Sequence, residues 1–359
     1  MMNYSVEALE TPGADSQLSS VNKHLARAIV ATFRETKRDA LYRRLAAYTR
    51  EDWSRSHNWL DASGLELYFL ERLKTLGIEA AVPIEVRVEM EQDSANNKIR
   101  TAKLFEEFVK INEAFQREQL NYCNVTGISL VPVSCPDPAL RRQFSMDFMM
   151  AGYDSSRCES LLVKLGYVAH ASVGGLREFR PSSDVGRFDT DIYRSIAERS
   201  IVVYFLSDDA VGTERAPFEM LMRRRMQKWD GYRFPALTEC DHFIAQAIRM
   251  LGHVGIERER LSLLLELKTC VRFWLHDEAF WREAADRAQA HPLRSVAIGT
   301  VTRLAAEIFG LEIPLSLQNW VTNSLDPKIR QWSEVYGWEA LLTDFPGTTL
   351  LALLEGRPR

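Results

Sequence analysis

The chain has 359 residues, 46% apolar and 26% charged, the balance of an ordinary globular protein long enough for two or three domains. A formal net charge of −4 gives no general attraction to nucleic acid or to an anionic membrane, so neither is expected as a partner. No uncharged apolar run reaches the roughly 18 residues that span a bilayer, the tail TTLLALLE is too short for it, and no N-terminal signal is evident.

Five cysteines (Cys123, Cys135, Cys158, Cys240, Cys270) are scattered without a CxxC pair. A reduced, cytoplasmic setting is therefore expected rather than a disulfide framework or a zinc site. Residues 1–18 lack periodicity and read as a loose arm. Residues 19–120 read as five or six helices: VNKHLARAIVATF, RDALYRRLAAY, LELYFLERLKTLG and NKIRTAKLFEEFVKINEAFQREQL place apolar residues at three- and four-residue spacing. Gly64 and Gly77 are expected stops.

The period changes over residues 121–215. YCNVTGISLVPVS and SIVVYFLSDD carry β-branched and aromatic residues, as buried strands do, and FSMDFMM is a third strand candidate. YDSSRCESLLVKLGY predicts a helix capped by Asp154 or Ser155 and stopped at Gly166. GYVAHAS and LREF predict two short strands around a hairpin turn at Gly174 and Gly175. Residues 216–359 return to a helical period from APFEMLMRRRMQKW onward, with the arginines of MRRRM on a solvated helix face. The expected class is α+β, a small mixed sheet flanked by N-terminal and C-terminal helical regions.

Within LRRQFSMDFMM one carboxylate, Asp147, interrupts an apolar strand. Residues i and i+2 of a strand point to one side of the sheet, so Ser145 and Asp147 share a face. Asp147 can be a metal ligand, the partner of Arg141 or Arg142 in an ion pair, or a hydrogen-bond acceptor.

The order of segments resembles the bacterial uncharacterised nucleotidyltransferases of the polymerase-β-like superfamily, over about residues 55 to 320. Val125-Thr126-Gly127 matches that family's LKG-like turn and Ile128-Ser129-Leu130 the residues after it. Asp137-Pro138, Arg141 and Ser145-Met146-Asp147-Phe148-Met149-Met150 match its proline loop, arginine and D-x-D strand. SLLVKLGY, IVVYFLSDD, the helix ending at His253 and the helix bearing Glu266 follow in the family's order.

The resemblance implies a nucleotidyltransferase-like core that moves a nucleoside monophosphate from an NTP–Mg²⁺ complex to an acceptor. Asp147 would hold the metal with Ser145 assisting, Gly127 and Ser129 would approach the phosphates, and Arg141 and Arg142 would neutralise the triphosphate. The family's pattern is altered at its chemistry: the first aspartate falls on Ser145, the lysine of the turn on Thr126. The acidic and histidine positions of the third strand fall on Val202 or Val203 and on Phe205. Asp208 and Asp209, or the D-x-D of Asp189 and Asp191, are the substitutes the sequence offers. The alternative function is a catalytically silent protein that binds a nucleotide, a peptide or a partner enzyme, as an accessory to modified-peptide or polysaccharide biosynthesis. His242 and His253, eleven residues apart on one helix and so about 16 Å distant, are too far apart to share an ion. Cys123, without a partnered histidine, is not expected to act as a nucleophile.

Overall fold

A computed structural model describes residues 23–34, 36–143, 145–173, 175–182, 200–210, 216–255, 261–323, 325–342 and 350. The expected N-terminal arm, Gly174, Asp189, Asp191 and the side chain of His253 lie outside these residues. The described chain divides into two compact units, one comprising residues 97–132 and 137–242 and the other residues 23–96, 133–136 and those from 243 onward.

The second unit is helical. It holds α1 (Lys23–Ala31), α2 (Arg38–Ala46), α3 (Arg50–Ala62), α4 (Glu66–Leu76) and the start of α5 (Ile84–Arg117). Gly64 and Gly77 follow α3 and α4 with φ of 69° and 63°, the left-handed stops their type allows. A capping box closes the start of α3, with Thr49 and Asp52 bonding each other's backbone N–H.

The largest part of α8 (Glu239–Gly255) belongs here too, with α9 (Leu261–Phe273), α10 (Glu278–Gln289), α11 (Pro292–Phe309), α12 (Leu315–Asn323) and α13 (Pro327–Leu342). SVAIGTVTRLAAEIF is apolar or small on almost every side, and α11 accordingly packs against α9, α10, α12, α13 and α1. Lys268 of α9 is buried and donates to the carbonyl oxygens of Phe33 (2.8 Å) and Phe309 (2.7 Å), where α1 and α11 end. Burial, then Arg272, Arg72 and Arg34, lowers its pKa to about 8.

The first unit is built on one mixed seven-stranded sheet. In chain order its strands are β1 (Tyr122–Asn124), β2 (Ser145–Ala151), β3 (Tyr167–Val173), β4 (Leu176–Pro181), β5 (Ser200–Leu206), β6 (Arg225–Trp229) and β7 (Tyr232–Ala236). Their spatial order is β3-β4-β5-β2-β1-β7-β6. β2 runs parallel to β5 and β1 parallel to β7; the other pairs are antiparallel. α6 (Ser155–Lys164) and α7 (Ala216–Met222) complete the unit with the later part of α5.

Alternation in β2 sends Met146, Phe148 and Met150 to one face, where Ile201, Val203 and Phe179 join them. Leu104, Phe108, Ile111 and Phe115, a single stripe of α5, cover that face beside Cys158 and Leu162 of α6. Phe115 meets Phe148 edge-on at 5.2 Å and Phe108 meets Phe234 at 4.9 Å.

The structure corrects the sequence at three points. YCNVTGISLVPVS is a strand only at Tyr122–Asn124, because the chain turns at Gly127 into a 3₁₀ segment, Gly127–Leu130. Asp154 stands before α6 without a side-chain cap bond; its carboxylate instead accepts from the Asn121 N–H at 2.8 Å and from Arg157. MRRRMQKW is not helical beyond Met222. Arg225–Trp229 and Tyr232–Ala236 form a hairpin on the sheet, joined by Asp230 and Gly231 at φ 44° and 80°, the backbone of a tight two-residue turn.

Phe148→Ala empties the centre of the apolar layer. It is expected to cost about 3–5 kcal/mol, read as a lower urea midpoint with an unchanged denaturant slope.

Candidate functional site

β2 carries its polar residues on the face opposite the apolar layer. Ser145 and Asp147 stand there at i and i+2, and the Ser145 hydroxyl donates to Asp147 Oδ1 at 2.5 Å. Thr126, at the end of β1, donates its hydroxyl to Asp147 Oδ2 at 2.8 Å. The Val125 N–H donates to the Asp147 carbonyl at 3.0 Å, which fixes the turn against the strand. Asp147 is 4% exposed, so these hydroxyls supply hydrogen bonds that water would otherwise give.

Gly127 follows Thr126 with φ 66°, and a Cβ there would sit 2.0 Å from Gln143 Nε2. That amide donates to the Ser145 carbonyl at 2.8 Å, so the turn, the glutamine and the start of β2 are one packed element. Ser129 is buried; its hydroxyl donates to the Thr126 carbonyl at 3.0 Å. The loop before β2 is held through its backbone: Asn97 donates to the carbonyls of Ala139 and Arg141, and Arg100 to that of Gln143. Arg141 is buried and Arg142 half-buried. Thus Thr126, Gly127, Ser145 and Asp147 are brought together, Ser129 is held to the same turn by its hydroxyl, and the arginines sit five and six residues upstream of Asp147.

The register of β5 decides which of its side chains faces the site. Asp147 pairs with Val202, Phe148 with Val203 and Met150 with Phe205. Paired residues share a face, so Val203 and Phe205 turn to the apolar layer, while Ser200, Val202 and Tyr204 lie on the side of Asp147. The next strand adds a residue that sequence reasoning missed: Glu178 pairs with Val202, completing the row Asp147–Val202–Glu178. Two strand spacings separate the two carboxylate-bearing strands, roughly 10 Å. Glu178 accepts from Arg180 Nε at 3.0 Å and lies 3.8 Å from His170 Nδ1. Asp208 and Asp209 are exposed in the bend after β5, and the Asp209 N–H donates to Ser207.

A family model described as uncharacterised nucleotidyltransferase matches residues 49–310, well over half of the chain. The chain belongs to this family. No curated protein matches it. The nucleotidyltransferase family match spans the Thr126–Gly127 turn, the whole sheet and helices α3 to α11.

Elsewhere on the sheet unit, Arg223 makes a paired contact with Asp241, Nε to Oδ2 and Nη2 to Oδ1, both at 3.1 Å. Thr238 donates to Asp241 at 3.0 Å and accepts from the Asp241 N–H, so T-x-x-D opens α8 as a reciprocal cap. Arg225 pairs with Glu239 at 3.1 Å. Of the three arginines expected on a solvated helix face, Arg223 and Arg225 therefore pair with the first turn of α8, and Arg224 donates to the Leu221 carbonyl. Cys123 is fully buried and its thiol is pushed up to about 12, first by desolvation, which leaves it protonated at neutral pH. None of the five cysteines is in a disulfide. Among the described residues no helix is long and apolar enough to cross a membrane.

His242 is buried, and its pKa is pushed down to about 3, chiefly by desolvation and then by the Arg225 guanidinium, against the pull of Asp241. The unfolded imidazole takes a proton near pH 6.5, the folded one only near 3. Between those values the unfolded chain binds the extra proton, so this contribution to stability is full above about pH 6.5 and is lost as pH falls. Urea midpoints taken at about pH 7 and pH 5 should drop less in His242→Gln than in the parent chain.

Ser145→Ala removes one of the two hydroxyl donors to a buried carboxylate. A loss of about 1.5–3 kcal/mol is expected, and Ser145→Thr, which keeps the hydroxyl, should recover most of it in the same denaturation measurement.

Proposed function

We propose that this chain uses the nucleotidyltransferase fold to bind its ligand without transferring a nucleotidyl group. The observation that carries the reading is the bonding of Asp147, whose two oxygens are both acceptors for neutral hydroxyls, Ser145 and Thr126. Two close dications call for several anionic oxygens converging on them. Here the neighbours of Asp147 are Ser145 on its own strand and Val202 on the next, and Glu178 is two strands away and bonded to Arg180. This donor set does not fit a pair of Mg²⁺ ions.

The turn that would face a nucleotide is kept. Thr126, Gly127 and Ser129 form a bend beside Asp147; the Thr126 and Ser129 hydroxyls donate within the site, so it is the backbone amides of such a bend that are suited to hydrogen-bonding a phosphate. A nucleotide is the first ligand to try; a peptide or a partner enzyme of a bacterial biosynthetic system is the second class, in keeping with the accessory role that the family resemblance implies.

The test is pyrophosphate release from ATP, GTP, CTP and UTP with Mg²⁺ or Mn²⁺, run beside thermal melts with the same ligands. A rise in melting temperature with a nucleotide, of equal size with and without the metal and without pyrophosphate release, is the expected result. Mn²⁺-dependent release that disappears in Asp147→Asn would sink the reading.

A further inference from the structure

Three helices of the second unit bring together His57 (α3), Glu66 (the first residue of α4) and Asp93 (α5), with one ligand atom from each lying within 4.8 Å of the others. Glu66 is 1% exposed, which is rare for a carboxylate and needs compensation. The position at the head of α4 supplies part of it, since the helix N-terminus favours negative charge.

A second observation points the same way. Along α3, Trp53 Nε1, Ser56 Oγ and His57 Nδ1 are buried polar atoms with no hydrogen-bond partner among the described residues. They stand at i, i+3 and i+4, one face of the helix. Trp53 and Ser56 are each 1% exposed, so ordinary solvent does not reach them. Trp53 stacks on Phe69 at 6.1 Å, and Phe69 lies three residues, one turn, beyond Glu66 on α4. The α3 face with unmet polar atoms is therefore the face that meets α4 near Glu66. Buried polar atoms grouped in this way are normally met by an ion or ordered water.

We propose that His57, Glu66 and Asp93 bind one divalent transition-metal ion, with Zn²⁺ the best match, which ties α3, α4 and α5 together. One imidazole and two carboxylates are a mixed N/O set of the kind zinc accepts, whereas Mg²⁺ and Ca²⁺ prefer oxygen throughout. Two carboxylates and a neutral imidazole around a dication sum to zero charge, the state that burial tolerates best. Ligand atoms about 2.1 Å from a tetrahedral zinc lie about 3.4 Å apart, so the largest separation here closes by rotation of side chains on the three helices. A water completes the fourth position and can hydrogen-bond to Ser56 or another of the unmet atoms on α3. This site is independent of Asp147 and of the function proposed above.

The experiment uses the full chain, stripped with a chelator and then titrated with Zn²⁺, Mn²⁺ or Mg²⁺, with metal content and melting temperature as readouts. One zinc per chain and a higher melting temperature are expected, with a smaller response to Mn²⁺ and none to Mg²⁺. His57→Gln and Asp93→Asn should weaken zinc binding by more than the roughly 10- to 100-fold that loss of an outer-sphere partner costs. Both should keep the helical circular dichroism of the metal-free parent, and Asp147→Asn should take up zinc as the parent does. Failure to retain zinc, equal uptake by His57→Gln and Asp93→Asn, or a response to Mg²⁺ alone would overturn the proposal. The last outcome, or no metal at all, would mean a charged hydrogen-bonded cluster of His57 with its two acids.

Discussion

The two-residue period of one short strand governs the sheet unit. β2 must bury Met146, Phe148 and Met150 beneath α5, and that requirement leaves Ser145 and Asp147 no choice of side. A slip by one residue would put the carboxylate into the apolar layer and three large side chains onto the polar face. The hydroxyls of Ser145 and Thr126 then make the burial of Asp147 affordable, and the Val125–Asp147 backbone bond sets the Gly127 bend beside it. The geometry around Asp147, on which the proposed function rests, follows from that alternation.

Family membership and site chemistry answer different questions in this chain. The nucleotidyltransferase match extends over residues 49–310 and shows the family. It says nothing of which side chains meet at the turn. Those are hydroxyls and one acid, and hydroxyls have no charge with which to balance a dication.

Much of the sheet was readable from the residues because its strands are built of the types that strands prefer. SIVVYFL is evident from its β-branched and aromatic content, SMDFMM from its apolar run around Phe148, and the β3–β4 hairpin from its glycines. The β6–β7 hairpin was hidden by an inverted pattern. In RMQKW the residue turned inward is Gln227, which donates to the Val131 carbonyl at 2.6 Å, while Met226 is exposed. Three arginines and a lysine next to a helix then looked like more helix. The turn signal Asp230-Gly231 was present and carried the correct answer. At the site, i and i+2 spacing predicts that Ser145 and Asp147 meet, but not that each carboxylate oxygen accepts from a hydroxyl, since Thr126 arrives from the turn after β1. Glu178 was invisible because only cross-strand register puts it in that row. His57, Glu66 and Asp93 lie on three separate helices, and no linear spacing announces them.

Lys268 has a consequence for how the helical unit holds together. Its ammonium is shared between the Phe33 carbonyl, in the turn after α1 and before the family segment begins, and the Phe309 carbonyl, the last of α11 and at the end of that segment. A protein trimmed to the family boundaries would lose the Phe33 acceptor and leave a buried cation with a single oxygen. The turn after the first helix is thus tied to the end of the family segment through one nitrogen, beside the packing of that helix on α11.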